Sequence, residues 1–279
     1  MKTTILTSIV GIMLCGCSDS NPNDQVETGQ SKSVNSEANH KMPLPADVGK
    51  IYSVGGRKYL FAGDDSASHF DITNCELNDR QYHYGIGREA FDALIQPEYI
   101  TQSAADKIYS DTARFLYLDI KGEKRAYSIE LLTHHEVIND VVAGQPIMAA
   151  YCVLADLGAI YHRQYNDQVL TFALSGYTYY DPEVWDGTDG FVFWDRETES
   201  TWWPLIGKGV SGPLNDVPLN VYNEDNWKET TWGKIMKNET NVLVLKEGQS
   251  MEAPSDWPHY SEAEITAIIT DPNPMVGTP

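Results

Sequence analysis

The sequence predicts a mainly β, α+β fold: a largely antiparallel β domain with a few short helices. Three observations carry this. Short runs rich in aromatic and β-branched residues recur between residues 45 and 279, several of them meet at Gly-containing turns, and only three stretches have helical character.

The elements follow in order. Ile51–Val54 and Lys58–Phe61 flank Gly55-Gly56 and read as a hairpin. Arg88–Ile95 puts Phe91, Leu94 and Ile95 at helical spacing, and Pro97 ends that helix. Arg114–Ile120 and Glu123–Tyr127 form a second hairpin around Lys121-Gly122. Ser128–His135 reads as one or two helical turns, because Ile129, Leu132 and His135 share a face. Strand-like runs come next at Pro146–Leu154, Gly158–Tyr165, Val169–Leu174, Gly190–Trp194 and Ser200–Ile206. Asp225–Asn238 reads as a helix, Asn241–Leu245 as a last strand, and the Pro- and acid-rich chain after Glu247 as a surface-hugging tail.

Residues 1–16 carry Lys2, then a short apolar run through Ile5, Ile9, Val10, Ile12, Met13 and Leu14, then small residues. That is the pattern of a secretory signal, too short to span a membrane. Leu14-Cys15-Gly16-Cys17 resembles a bacterial lipobox, which implies cleavage before Cys17 and lipidation of that cysteine. The membrane is then a partner through an N-terminal lipid anchor. Ser18 in place of Asp implies, by resemblance to Gram-negative lipoproteins, the outer membrane, with the protein facing periplasm or exterior. Residues 17–44 hold hardly a large apolar side chain and cannot offset their ordering entropy, so they read as a flexible tether. Residues 45–279 suit a single β-rich domain.

With 20 basic and 40 acidic residues the net charge is −20, and no basic footprint is left for nucleic acid. The charge serves solubility. Beyond the signal and Cys17, only Cys75 and Cys152 remain. In an oxidising compartment they can form a disulfide; an inert buried thiol and a metal-binding thiolate are the competing readings.

Chemistry concentrates in His134-His135-Glu136-Val137-Ile138-Asn139-Asp140, followed by the apolar run Ile147–Leu154 that contains Cys152. Asn139 stands four residues after His135, so the two-histidine helix of the zinc proteases is excluded. His135, Cys152 and Asp140 make a mixed donor set for copper or zinc. Against it stands the reading that His135 and Asp140 satisfy buried backbone while Cys152 packs on a strand. Ser175 or Cys152 with His135 and Asp195 supplies the residue types of a hydrolase, although Ser175-Gly176 lacks a nucleophile elbow. In Asp195-Arg196-Glu197-Thr198-Glu199-Ser200, the Arg196 guanidinium can grip an anion bidentately or pair with Glu197, Glu199 or Asp140. Seven tryptophans and sixteen tyrosines suit a carbohydrate surface, with the loop Tyr177–Asp189 as its place, although in a β-rich domain such rings more often fill the core.

From Tyr82 to Leu245 the order of motifs resembles the bacterial domain-of-unknown-function 3179 family. The resemblance is carried by Gly87-Arg88-Glu89-Ala90-Phe91, Arg125-Ala126-Tyr127, His135–Asp140, Tyr151-Cys152, Ser175-Gly176, Asp195–Trp202, Gly207 and Gly212-Pro213-Leu214. It implies a shared pattern and no reaction. The family's Tyr-Cys-Pro-Leu-Cys is here Tyr151-Cys152-Val153-Leu154-Ala155, which removes a two-thiol role, and its Trp-x-x-Trp is broken by Ile235. The resulting expectation is an envelope lipoprotein that binds copper, zinc or a small ligand at one pocket made by His135, Glu136, Asn139, Asp140, Cys152, Ser175, Asp195 and Arg196. A periplasmic hydrolase or redox enzyme using His135 and Cys152 is one alternative. A structural envelope protein with a Cys75–Cys152 disulfide is another.

Overall fold

Three two-residue turns set the architecture, each with both residues at positive φ: Gly55-Gly56 (60° and 81°), Lys121-Gly122 (52° and 87°) and Ala143-Gly144 (49° and 75°). Such turns match the right-handed twist of paired strands and close tight hairpins. The structure, a computed structural model, describes residues 50–250 and 257–274; the signal (1–16), the tether (17–44) and Cys17 lie outside the described residues.

The chain opens with β1 (Ile51–Val54), β2 (Arg57–Leu60), β3 (Phe70–Asp71), β4 (Tyr82–Tyr84), β5 (Leu94–Ile95), β6 (Tyr99–Thr101) and α1 (Gln102–Ala105). The hairpin β7 (Arg114–Ile120) and β8 (Glu123–Ser128) leads into α2 (Ile129–His135). Then come β9 (Val137–Val142), β10 (Gln145–Cys152), β11 (Leu157–His162), β12 (Gln164–Tyr165), β13 (Gln168–Val169), β14 (Phe172–Tyr179) and β15 (Gly190–Asp195). The last part holds β16 (Thr201–Trp203), β17 (Lys208–Ser211), β18 (Trp227–Thr231), α3 (Trp232–Asn238), β19 (Leu243–Leu245) and α4 (Glu262–Thr270).

The larger sheets run β17-β16-β15-β14-β4, β18-β7-β8-β19-β6 and β11-β10-β9-β5; β1-β2-β3 and β12-β13 are smaller. Pairing is antiparallel except between β19 and β8 and between β5 and β9, so the expected largely antiparallel β fold is what forms.

Strand alternation sorts the apolar side chains into three layers. Phe115 and Tyr117 of β7 pack with Trp232 and Ile235 of α3, while Leu116, Leu118 and Ile120 face the β9–β10 sheet. In β10, Ile147, Ala149 and Tyr151 meet that middle core, and Met148, Ala150 and Cys152 meet the β14–β15 sheet. Both faces of β10 are buried, hence its unbroken apolar run.

Four expectations shift. Arg88–Ile95 is not a helix: Glu89 sits at φ 52° and its N–H donates to Leu174 O (2.9 Å), and Leu94-Ile95 pairs parallel with β9. Asp225–Asn238 divides, since Trp227–Thr231 pairs with β7 before Trp232 begins α3. The strand at Ser200–Ile206 stops at Trp203, because Pro204 opens a 3₁₀ turn. The tail holds α4, entered through a capping box between Ser261 and Glu264.

Candidate functional site

The His135–Asp140 motif straddles a helix end and a strand, and that junction disperses it. His135 closes α2 with its Nδ1 2.7 Å from Asp92 O. Asn139 and Asp140, adjacent on β9, leave opposite faces of the sheet. Asn139 accepts the Phe172 N–H (2.9 Å) and donates to Phe172 O (2.8 Å), fastening β9 to the start of β14. Asp140 accepts the hydroxyls of Tyr99 and, at 2.7 Å, Tyr127, on the side of the β7–β8 sheet. Arg163 locks the same region by donating only to backbone, to Ile147 O, Leu170 O and Asp140 O. Burial lowers its pKa to about 10.

His135, Cys152 and Asp140 are therefore not gathered, and among the described residues no three His, Cys, Asp or Glu side chains converge as a metal-holding group. Cys75 and Cys152 are free thiols. The Cys75 Sγ lies 3.3 Å from the Tyr82 hydroxyl and the Cys152 Sγ 3.9 Å from Asp189 O. Ser175 is buried and donates to Val192 O at 2.5 Å, which fits a structural hydroxyl. Tyr177 and Tyr179, expected in the aromatic loop, are core residues of β14.

Two cavities hold Arg196, Glu136 and Cys152. The first, about 470 Å³, is walled by Arg88, Glu89, Trp194, Arg196, Glu199 and Trp257, with Asp65, Ser68 and His259 at its edge. Its centre is a reciprocal exchange between two Arg-and-Glu motifs. Arg196, 3 % exposed, donates through Nε and Nη2 to both carboxylate oxygens of Glu89 (2.7 and 2.9 Å). Arg88 returns the pairing through Nη2 to Glu199 (3.0 Å) and through Nη1 to Ser68 O (2.7 Å). Each guanidinium also covers an indole: Arg88 lies 3.6 Å from the Trp194 ring centroid, and Arg196 lies 4.8 Å from that of Trp257.

Local folding explains the placement. Asp195 ends β15 and accepts from the Thr198 N–H (2.8 Å), Thr198 Oγ1 (2.7 Å) and Trp202 Nε1 (2.8 Å), which fixes the turn that presents Arg196. Asp195 itself is fully buried, and burial pushes its carboxyl up to about 7 against those donors. It positions Arg196 and does not line the cavity. Glu197 accepts from Thr171 N–H (2.7 Å) and Trp257 Nε1 (3.1 Å), drawing the C-terminal segment over the cavity. Across from the turn, β14 bulges between Leu174 and Tyr177. The Gly85 N–H donates to Gly176 O (2.9 Å), and a Cβ on Gly176 (φ 81°) would lie 2.1 Å from Gly87 O. Only glycine lets the segment carrying Arg88 and Glu89 come that close. After these pairings, two buried donors of residues that line the cavity have no acceptor among the described residues: Arg196 Nη1 and Trp194 Nε1.

The second cavity, about 300 Å³, contains Glu136 and Cys152 among apolar side chains. Burial pushes the Glu136 carboxyl up to about 7 and raises the Cys152 thiol. Of the single pocket expected, Glu136 and Cys152 thus belong here, Arg196 belongs to the first cavity, and His135, Asn139, Asp140, Ser175 and Asp195 line neither. Arg88, Glu89, Trp194 and Trp257 were outside the expected site. Their signal was the pair of Arg-Glu runs, 88–89 and 196–199, whose cross-pairing needs the fold to be seen.

Fold and cavity together define a layered, mainly β protein with an interlocked arginine–tryptophan pocket. The chain belongs to the DUF3179 family, described as a protein of unknown function, whose pattern matches residues 88–275. That span includes every wall of the arginine cavity except the 62–68 segment, and it reaches past Leu245 to take in Trp257 and His259. No curated protein and no solved structure matches the chain.

Proposed function

We propose that this DUF3179 protein is a lipid-anchored cell-envelope protein that binds a small molecule bearing an oxyanion, a carboxylate or a phosphate, in the arginine cavity. The observation that carries the reading is the pair of buried, unpartnered donors, Arg196 Nη1 and Trp194 Nε1, in the wall of one concave site. Guanidinium and indole N–H groups only donate, so the missing partner is an acceptor. A charged acceptor satisfies a guanidinium best. Buried polar groups are paired as a rule, and the described residues supply nothing for these two. The indoles of Trp194 and Trp257 add flat apolar walls, the usual make-up of a small-molecule site. The lipobox-like Leu14-Cys15-Gly16-Cys17 supports the anchor.

The test is to follow the Trp194 indole N–H resonance, assigned with Trp194→Phe, while the full-length protein is titrated with sugar acids, short carboxylates and phosphate monoesters. A saturable downfield shift, lost in Arg196→Lys, is expected; carboxylate and phosphate members distinguish the two oxyanions. No shift with any member sinks the reading. The anchor is checked separately by the mass of the mature N-terminus, with and without Cys17→Ser.

A further inference from the structure

The second cavity has the opposite chemistry. Glu136 caps α2 in the left-handed region (φ 55°), its N–H donating to Leu132 O (2.7 Å) and its carbonyl accepting Tyr151 N–H (2.9 Å). With the backbone committed on both sides, the side chain is left to line the cavity, and among the described residues it has neither hydrogen bond nor ion pair. The surrounding wall is Ile86, Phe91, Val153, Leu154, Leu174 and Phe191. Ile86, Val153 and Leu154 remain exposed at the rim, which extends the apolar surface outward. Thr133 and Thr178 add hydroxyls, and among the described residues no Lys, Arg or His lines the site. The titratable groups facing Glu136 are Cys152 on β10 and Tyr177 on β14, neither of them a cation.

We propose that this cavity is a second binding site, separate from the arginine pocket, for a small apolar molecule that carries one amine. An ionised carboxylate in an apolar enclosure needs a counter-charge, and among the described residues none supplies it, which leaves the role to a ligand. The protein's net charge of −20 favours the arrival of a cation. Cys152 is a wall of the site and not its nucleophile, since burial and the Glu136 charge both hold the thiol protonated. It serves as a reporter of occupancy.

The experiment compares benzylamine with benzyl alcohol, its neutral counterpart of the same shape, by calorimetric titration of the full-length protein. Benzylamine is expected to bind at least about tenfold more tightly, a margin that Glu136→Gln removes. Its affinity should rise from about pH 5.5 to about pH 8 as Glu136 ionises. In the unaltered protein, bound benzylamine should shift the backbone amide resonances of Cys152 and Leu174, a readout that does not depend on a variant folding. Equal binding of the alcohol, an unchanged preference in Glu136→Gln, or unshifted Cys152 and Leu174 amides would overturn the proposal.

Discussion

The two cavities lie on either side of the segment Gly85–Phe91, and each lacks what the other has in excess. The arginine pocket is a closed set of exchanged ion pairs that leaves donors over; the Glu136 pocket is apolar and leaves an acceptor over. The difference teaches where specificity comes from in this fold. Four segments far apart in sequence, 62–68, 88–89, 194–199 and 257–259, must meet to make the first site. The second depends on how one residue, Glu136, leaves one helix.

The comparison breaks most severely at Arg196. Arg196→Gln leaves the half-hidden Glu89 carboxylate (10 % exposed) without its partner, and a loss of roughly 3–5 kcal/mol in urea unfolding is expected. Adding Glu89→Gln should recover much of it. If the single variant unfolds like the parent protein, the exchanged pairs do not hold the first site together. Asn139→Ala comes next, because it strips the partners from both buried backbone groups of Phe172, each worth about 1–3 kcal/mol. This variant should loosen both sites at once, which amide exchange at the start of β14 would register. Trp257→Leu is smaller, about 1–2 kcal/mol from lost stacking and the unpaired Glu197 oxygen, and should leave the Glu136 site untouched.

Glu136→Gln comes last, because its effect is not a fixed loss but a pH slope. Burial holds the folded-state pKa near 7, above the unfolded value of about 4.3, so the folded protein binds the extra proton between those values. The stabilisation is complete below about pH 4 and is lost as pH rises through 7. Urea midpoints should therefore fall less steeply across that window in Glu136→Gln than in the parent chain. Parallel slopes would mean that the carboxyl is solvated in the folded state.

What the sequence made legible follows the range of the forces involved. The hairpins at Gly55-Gly56 and Lys121-Gly122 were readable because positive φ is a local demand. The run Ile147–Leu154 was readable as a strand because both its faces are buried. The helix expected at Arg88–Ile95 failed because Glu89 is held on Leu174 O, a contact across most of a hundred residues that no spacing rule can see. The expected site disperses for a related reason. Glu136, Cys152 and Arg196 line cavities, but Val137–Val142 is a strand buried on both faces, so it shows no polar alternation to warn that Asn139 and Asp140 diverge.

The segment Gly85–Phe91 gives one side chain after another to different owners. Ile86 and Phe91 belong to the apolar cavity and Arg88 and Glu89 to the polar one, while Gly85 N–H and Glu89 N–H grip the same bulge of β14. The partition is one residue thick and has no slack, because Gly176 leaves no room behind it. Should a guest on one side move this wall, the room on the other side changes with it. Thermodynamic linkage then makes the influence mutual: whatever factor an amine imposes on the grip for an oxyanion, the oxyanion imposes in return on the amine.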